Sequence, residues 1–268
     1  MNFKNLICAL AFTFILSEGT AAGIVEENLA DHFASRNVEG CFVVRDMANG
    51  ITHVWNTERA ETRFRPASTF KIPNAIIGLE TGAVRDIEEV IPYGGTKELM
   101  PAWEKDMNLR DAMRVSNVAV FHQLAKRIGL PAIRHYMSRF SYGNENVGAN
   151  IDRRFWLEGP LKISPLEQVE FLANLATGKL NLQEETGAAI QELILFKTFD
   201  GAEIYAKTGW VGPDHPQIGW WVGWVRSNGT VYPFAVNIDI HSSKDAKERI
   251  PIGLACLNSL GIIDHPEM

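Results

Sequence analysis

Gly219-Trp-Trp-Val-Gly-Trp-Val-Arg226, then Ser227-Asn-Gly-Thr230, then Val231-Tyr-Pro-Phe-Ala-Val-Asn-Ile-Asp-Ile240, is the stretch on which the fold turns. Two runs rich in β-branched and aromatic residues flank an Asn-Gly pair, whose positive φ angles suit the tight connection between antiparallel strands. The reading is a β-hairpin, with Trp220, Trp221 and Trp224 packing the sheet rather than forming a ligand platform. Ala202 to Lys207 reads as another strand just upstream. Near the start of the chain, Gly40-Cys-Phe-Val-Val-Arg45 and Ile51-Thr-His-Val-Trp55 flank Asp46-Met-Ala-Asn-Gly50, and the Asn-Gly again predicts a tight hairpin.

Between these strand groups the pattern changes to helical periodicity broken by Gly and Pro, from Ser68 to about Leu195. Leu109 to Met113, Val118 to Ile128, Ala132 to Phe140 and Pro165 to Ala176 are its clearest segments. A last helical run from about Asp245 to Leu260 stops at Gly261. Strands from both ends of the chain must therefore share a sheet. The expected class is α+β: an antiparallel sheet flanked by helices, with an inserted helical subdomain and a cleft where the two meet.

The first residues, Met1-Asn-Phe-Lys-Asn-Leu-Ile-Cys-Ala-Leu-Ala-Phe-Thr-Phe-Ile-Leu16, carry one cation and a short apolar run, and small residues follow, ending in Thr20-Ala-Ala22. That pattern predicts a cleaved export signal over 1–22, a single domain over 23–268, and a secreted, periplasmic product with no membrane segment of its own. Lys4 and Glu18 cancel within the signal, so the remainder keeps the formal net charge of -6. No basic cluster is present to follow a phosphate backbone, which argues against nucleic acid as a partner. Of 3 cysteines, Cys41 and Cys256 lie beyond the signal, and the sequence leaves open whether they pair or are buried separately. No Cys/His spacing suggests a metal site.

Pro66-Ala-Ser68-Thr-Phe-Lys71-Ile-Pro73 sits where a loop enters a helix ending near Gly82, and Pro73 fits such a helix only in its first turn. Ser68 and Lys71 then share one face. A serine hydroxyl needs a base beside it and a positive environment for the developing oxyanion, and a helix N-terminus with a lysine one turn on offers both. S-x-x-K alone is equally an N-cap serine before a surface lysine, and roughly one chance match is expected in a chain of this size. The apolar neighbours Phe70, Ile72, Ile76 and Ile77 favour an enclosed Lys71. Enclosure matters because an ordinary lysine, with a pKa of about 10.4, is protonated at neutral pH, whereas burial lowers that value. A neutral amine can also take up carbon dioxide as a carbamate.

Ser116-Asn-Val118 lies in a helical stretch, where a capping or solvent-facing serine is the plain alternative. Lys207-Thr-Gly209-Trp210 closes a strand. There a cation can attract a carboxylate, Thr208 can donate a hydrogen bond, and Gly209 lets a ligand approach the backbone. The plain alternative for this element is a charged strand end. The three elements in this order match the penicillin-recognising serine enzymes.

Ser116-Asn-Val118, Tyr142-Gly-Asn144 and Trp156-Leu-Glu-Gly159 narrow the match: the chain resembles the class D (oxacillinase) β-lactamases, with their S-x-V, Y-G-N and W-x-x-G elements, from about Phe42 to Ile263. The resemblance implies a β-lactamase/penicillin-binding transpeptidase-like fold and hydrolysis of the β-lactam ring of penicillins and related antibiotics. It implies Ser68 as nucleophile, Lys71 as N6-carboxylysine and base in both half-reactions, and Ser116 as proton relay to the lactam nitrogen. Lys207, Thr208 and Arg249 would face the substrate carboxylate, with Lys247 the alternative to Arg249. Backbone N–H groups of Ser68 and Trp210 would hold the oxyanion, Gly209 would lie along the substrate, Val118 would keep the pocket dry, and Trp156 would donate its indole N–H to the carbamate. No cofactor is implied beyond the carbon dioxide carried on Lys71, and no metal. The implied partner is a small-molecule β-lactam.

Class A enzymes deacylate with a glutamate, and Glu158 invites that comparison, but it sits inside the W-x-x-G element without the class A asparagine and reads as structural. A β-lactam sensor or penicillin-binding domain, acylated without turnover, is the competing function. A sensor would carry several membrane spans, and a cell-wall transpeptidase an anchor or further domains. Substrate range and oligomeric state are left open.

Overall fold

In the computed structural model, which describes residues 23–152, 154–199, 201–212 and 216–264, Asn228 and Gly229 have φ of 49° and 77°. Two consecutive positive φ angles make the two-residue turn whose twist matches antiparallel strands. They join β6 (Gln217–Ser227) to β7 (Thr230–Ile240) with Ser227 opposite Thr230. β5 (Ala202–Val211) pairs antiparallel with β6 along its whole length and so runs past Lys207 to include the Lys-Thr-Gly-Trp element. At the other end of the chain, β2 (Gly40–Arg45) and β3 (Thr52–Trp55) form the expected first hairpin. Its loop is wider than a tight Asn-Gly turn. Only Gly50 has positive φ there, and the Asp46 and Asn49 side chains accept from the N–H groups of Ala48 and Ile51, each at 2.8 Å.

The sheet has seven strands in the order β1-β3-β2-β7-β6-β5-β4, with β1 (Ile24–Glu26) and β4 (Leu195–Phe199) at its edges. Every neighbouring pair is antiparallel except β1 with β3, which is parallel, so the sheet is mixed at one edge. Trp220, Val222 and Trp224 face one hydrophobic cluster, while Trp221 and Val225 face the other. That is the period-two alternation of a strand buried on both sides.

One face is covered by α1 (Ala30–Ala34) and α9 (Asp245–Ser259). α2 (Thr57–Glu61) leads into a 3-10 turn, Ala67–Phe70, which passes directly into α3 (Lys71–Glu80). Pro73 is the third residue of α3, where its missing N–H costs nothing. The inserted helical region continues with α4 (Leu109–Arg114), α5 (Val118–Ile128), α6 (Leu130–Arg139), α7 (Pro165–Ala176) and α8 (Glu184–Ile194). α7 lies on the second sheet face against β2, β6 and β7. Its start is fixed by a capping box, in which Ser164 and Glu167 satisfy each other's backbone N–H groups.

Cys41 and Cys256 are both buried and free, on opposite faces of the sheet, which settles the pairing question. No helix among the described residues is long and apolar enough to cross a membrane. The expected signal at 1–22 lies outside the described residues.

Candidate active site

Ser68 sits in the 3-10 turn that becomes α3, and the residue before it, Ala67, is held at a φ of 53°. A left-handed alanine costs about 1 kcal/mol or more, and such strain persists only where its surroundings enforce it. Three contacts do so. The Ala67 N–H donates to the Trp156 carbonyl at 3.1 Å, the Thr69 hydroxyl donates to the Pro66 carbonyl at 2.6 Å, and buried Gln168 of α7 donates to the Thr69 hydroxyl at 2.9 Å.

One turn further on, Lys71 is 0% exposed and its Nζ donates to Ser68 Oγ at 2.7 Å. Its amine lies 5.6 Å from the centroid of the Phe121 ring. Burial holds the Lys71 pKa well below the ordinary lysine value, and the cations Lys207 and Arg154 press it in the same direction. Both effects favour the neutral amine over the ammonium.

Ser116 does not lie within a helix. It occupies the turn between α4 and α5 with a φ of 55°, while fully buried Asn117 caps α5 by accepting from the Val120 N–H at 3.1 Å. This left-handed turn aims the Ser116 hydroxyl at β5. Lys207 Nζ donates to Ser116 Oγ at 3.0 Å and to the Thr208 carbonyl at 3.1 Å. Burial, with Arg249 adding to it, pushes the Lys207 pKa down to about 7.

β5 passes unusually close to the Ser68 turn. A Cβ on Gly209 would lie 3.2 Å from each of the Ala67 Cβ, the Pro66 carbonyl oxygen and the Thr69 methyl, so this position calls for glycine. The neighbouring residue, Trp210, exposes 44% of its surface and its Nε1 donates to Gln217 Oε1 at 2.6 Å. From α9, Arg249 Nη1 donates to the Gly209 carbonyl at 2.5 Å, and burial lowers the Arg249 pKa to about 10. Lys247 is exposed on the same helix, so Arg249 is the cation that reaches the site.

Trp156 is fully buried, stacked on Phe70 at 5.5 Å and edge-on to Phe155 at 5.0 Å. Its Nε1 has no hydrogen-bond partner, a costly vacancy for a buried donor. Val118, at the start of α5, is buried as well, whereas Glu158 is exposed.

Ser68, Ser116, Thr208, Gly209, Trp210 and Arg249 line one cleft of about 420 Å³ between the sheet edge and the helical region. Its outer wall is apolar, with Leu99, Met100 and Trp103. A larger depression of about 780 Å³ beside α1 and α2 holds none of these groups, so the chemistry and not the size marks the site. Among the described residues no group of His, Cys, Asp and Glu is arranged to hold a metal. Gln168, Gln217 and the strained Ala67 escaped the sequence reading because only tertiary contacts give them meaning.

Comparison with known proteins agrees with this geometry. Residues 40–255 match the family described as penicillin binding protein transpeptidase domain. β-Lactamase OXA-5 of Pseudomonas aeruginosa is 40% identical over 265 residues, covering 97% of this chain and 98% of that protein. β-Lactamase OXA-10 of the same species is 39% identical over 253 residues, covering 92% and 95%. Among solved structures, the class D β-lactamase YbXI from Nostoc aligns with a TM-score of 0.85 at 36% identity over 88% of this chain and 99% of that one. FUS-1 (OXA-85), a class D β-lactamase from Fusobacterium nucleatum subsp. polymorphum, aligns with a TM-score of 0.83 at 37% identity over 88% and 98%.

Proposed function

This chain belongs to the class D β-lactamases, serine hydrolases of the penicillin-binding transpeptidase fold that confer antibiotic resistance, and from that membership we propose that it opens β-lactam rings through an acyl-enzyme on Ser68. The observation that carries the reading is the 2.7 Å contact between Ser68 Oγ and the buried amine of Lys71.

In this reading Ser68 Oγ attacks the lactam carbonyl, and the oxyanion is received by the backbone N–H groups of Ser68 and Trp210. Each such donor is typically worth about 3 kcal/mol of barrier. Ser116, already hydrogen-bonded to Lys207, passes a proton to the departing lactam nitrogen. Lys207, Thr208 and Arg249 bind the substrate carboxylate at the end of the cleft. Gly209 leaves room along β5 for the acylated substrate.

The surroundings of Lys71 suit an N6-carboxylysine. The amine is fully buried, which disfavours its charged form, and the Trp156 indole N–H is buried without an acceptor, as a donor reserved for a carboxylate would be. Trp156 would hold the group, with Val118 and Phe121 excluding bulk water. Carbon dioxide bound there supplies a carboxylate base for both acylation and deacylation.

Residues 1–22 are read as a signal removed on export to the periplasm. N-terminal sequencing of the exported protein checks that reading, which fails if Met1 is retained.

The test of function mixes purified protein with benzylpenicillin and follows intact mass and substrate loss together. Rapid penicilloate formation with only transient acylation is the expected result. A long-lived adduct without turnover would instead mark a sensor or penicillin-binding protein.

A further inference from the structure

Two carboxylates are buried among the described residues, Asp239 at 8% and Glu98 at 6% exposure. Asp239 pairs with Arg59 inside the sheet layer. Glu98 is different: its neighbours Leu99 and Met100 are 89% and 46% exposed, so a buried charge sits in an otherwise open segment of the cleft wall. A buried carboxylate is expensive unless paired, and this one accepts from Arg154 Nη2 and from the Thr96 hydroxyl at 3.0 Å.

The pair links two segments that meet over the site. On one side, Glu98 belongs to the wall that Trp103 and Asn117 tie to the Ser116 turn: Trp103 Nε1 donates to the Val115 carbonyl, and Asn117 Nδ2 to the Trp103 carbonyl, both at 3.1 Å. On the other, the Arg154 carbonyl accepts from the Leu157 and Glu158 N–H groups at 2.7 and 2.9 Å, closing the turn that presents Trp156. The Trp156 carbonyl in turn holds Ala67 beside the nucleophile. The Arg154 cation also opposes protonation of Lys71.

We propose that Glu98 and Arg154 form a latch between the cleft wall and the Trp156 turn, and that this latch sets the affinity of the Lys71 amine for carbon dioxide by fixing the indole N–H that receives it. Both are then positioning residues. The inference rests on the reading of Lys71 as N6-carboxylysine and adds the two residues that maintain it. Anchoring groups behind a ligand-holding residue commonly change affinity by about tenfold or more.

The test titrates the full-length protein, without substrate, with carbon-13-labelled bicarbonate and follows the carbamate resonance. Glu98→Gln and Arg154→Met are each expected to need roughly tenfold more bicarbonate for half-occupancy than the parent. Arg154→Lys, which keeps the charge, should fall between them and the parent. If Arg154→Met fails to fold because it strands the Glu98 carboxylate, Glu98→Leu combined with Arg154→Met removes both charges and is expected to show the same weakening. Titration curves of the folded variants that overlay the parent's overturn the latch while leaving the reading of Lys71 intact. No carbamate resonance in the parent overturns that underlying reading and the latch with it.

Discussion

Lys71 and Lys207 are two buried amines, each hydrogen-bonded to a serine that lines the cleft, and neither has a carboxylate partner among the described residues. Such residues cost stability and are kept for what they do. Lys207 makes the cost measurable. Its folded pKa of about 7 lies below the ordinary 10.5, so below pH 7 both folded and unfolded chains carry the charge and the burial penalty is complete. Between those values the unfolded chain binds a proton that the folded one lacks, and stability rises with pH. Lys207→Met should therefore stabilise the protein by a few kcal/mol at pH 6 and by much less near pH 10, as read by urea unfolding. An equal gain at both pH values would show that the lysine is not held neutral. If Lys71 is the base, as proposed, steady-state hydrolysis of benzylpenicillin by Lys71→Ala should fall by roughly 10³-fold or more; a variant turning over at the parental rate would remove Lys71 from the mechanism. The motif residues were legible beforehand because their chemistry resides in type and spacing. Ala67, Gln168 and Glu98 were not, since an alanine's φ or a glutamate's burial is decided by chain segments far away in sequence.

At the scale of elements, legibility followed periodicity. Residues 219–240 alternate across a sheet buried on both faces, and the Asn-Gly turn closes it as read. The edge strands escaped: β1 is too short to show a period, and β4 follows α8 without a break and is mostly exposed. The Ser116 turn was hidden by the helices on either side, because one left-handed residue leaves no mark on apolar spacing. α7 shows how an element can serve the site from outside it. Gln168 reaches the Ser68 turn from this helix, whose first turn depends on the Ser164 capping box. Ser164→Ala should cost about 1 kcal/mol in thermal or chemical unfolding. Its kcat should stay close to the parent's, because the packed body of α7 still carries Gln168. A large loss of kcat without loss of stability would mean that the cap acts on the Ser68 turn directly.

For the whole molecule, the sheet divides the core into two clusters, and the two cysteines report on that division. Cys41 packs with the helical region's cluster and Cys256 with the cluster under α9. Sequence alone could not say whether they meet, since two positions so distant in the chain are brought together or kept apart only by the complete topology. The layers of the sheet keep them apart. Burial also pushes each thiol up to about 12, so the thiolate that would attack a disulfide or an alkylating reagent is scarce at neutral pH. The described residues therefore hold together without a covalent staple between Cys41 and Cys256, which a core of this extent can do. Protein beginning at Gly23 should unfold at the same temperature with and without reductant. Its two thiols should resist a thiol-specific reagent in the folded state and both react in denaturant. A fall in Tm of several degrees on reduction, or fewer than two reactive thiols in denaturant, would mean that Cys41 and Cys256 had found each other by a topology different from this one.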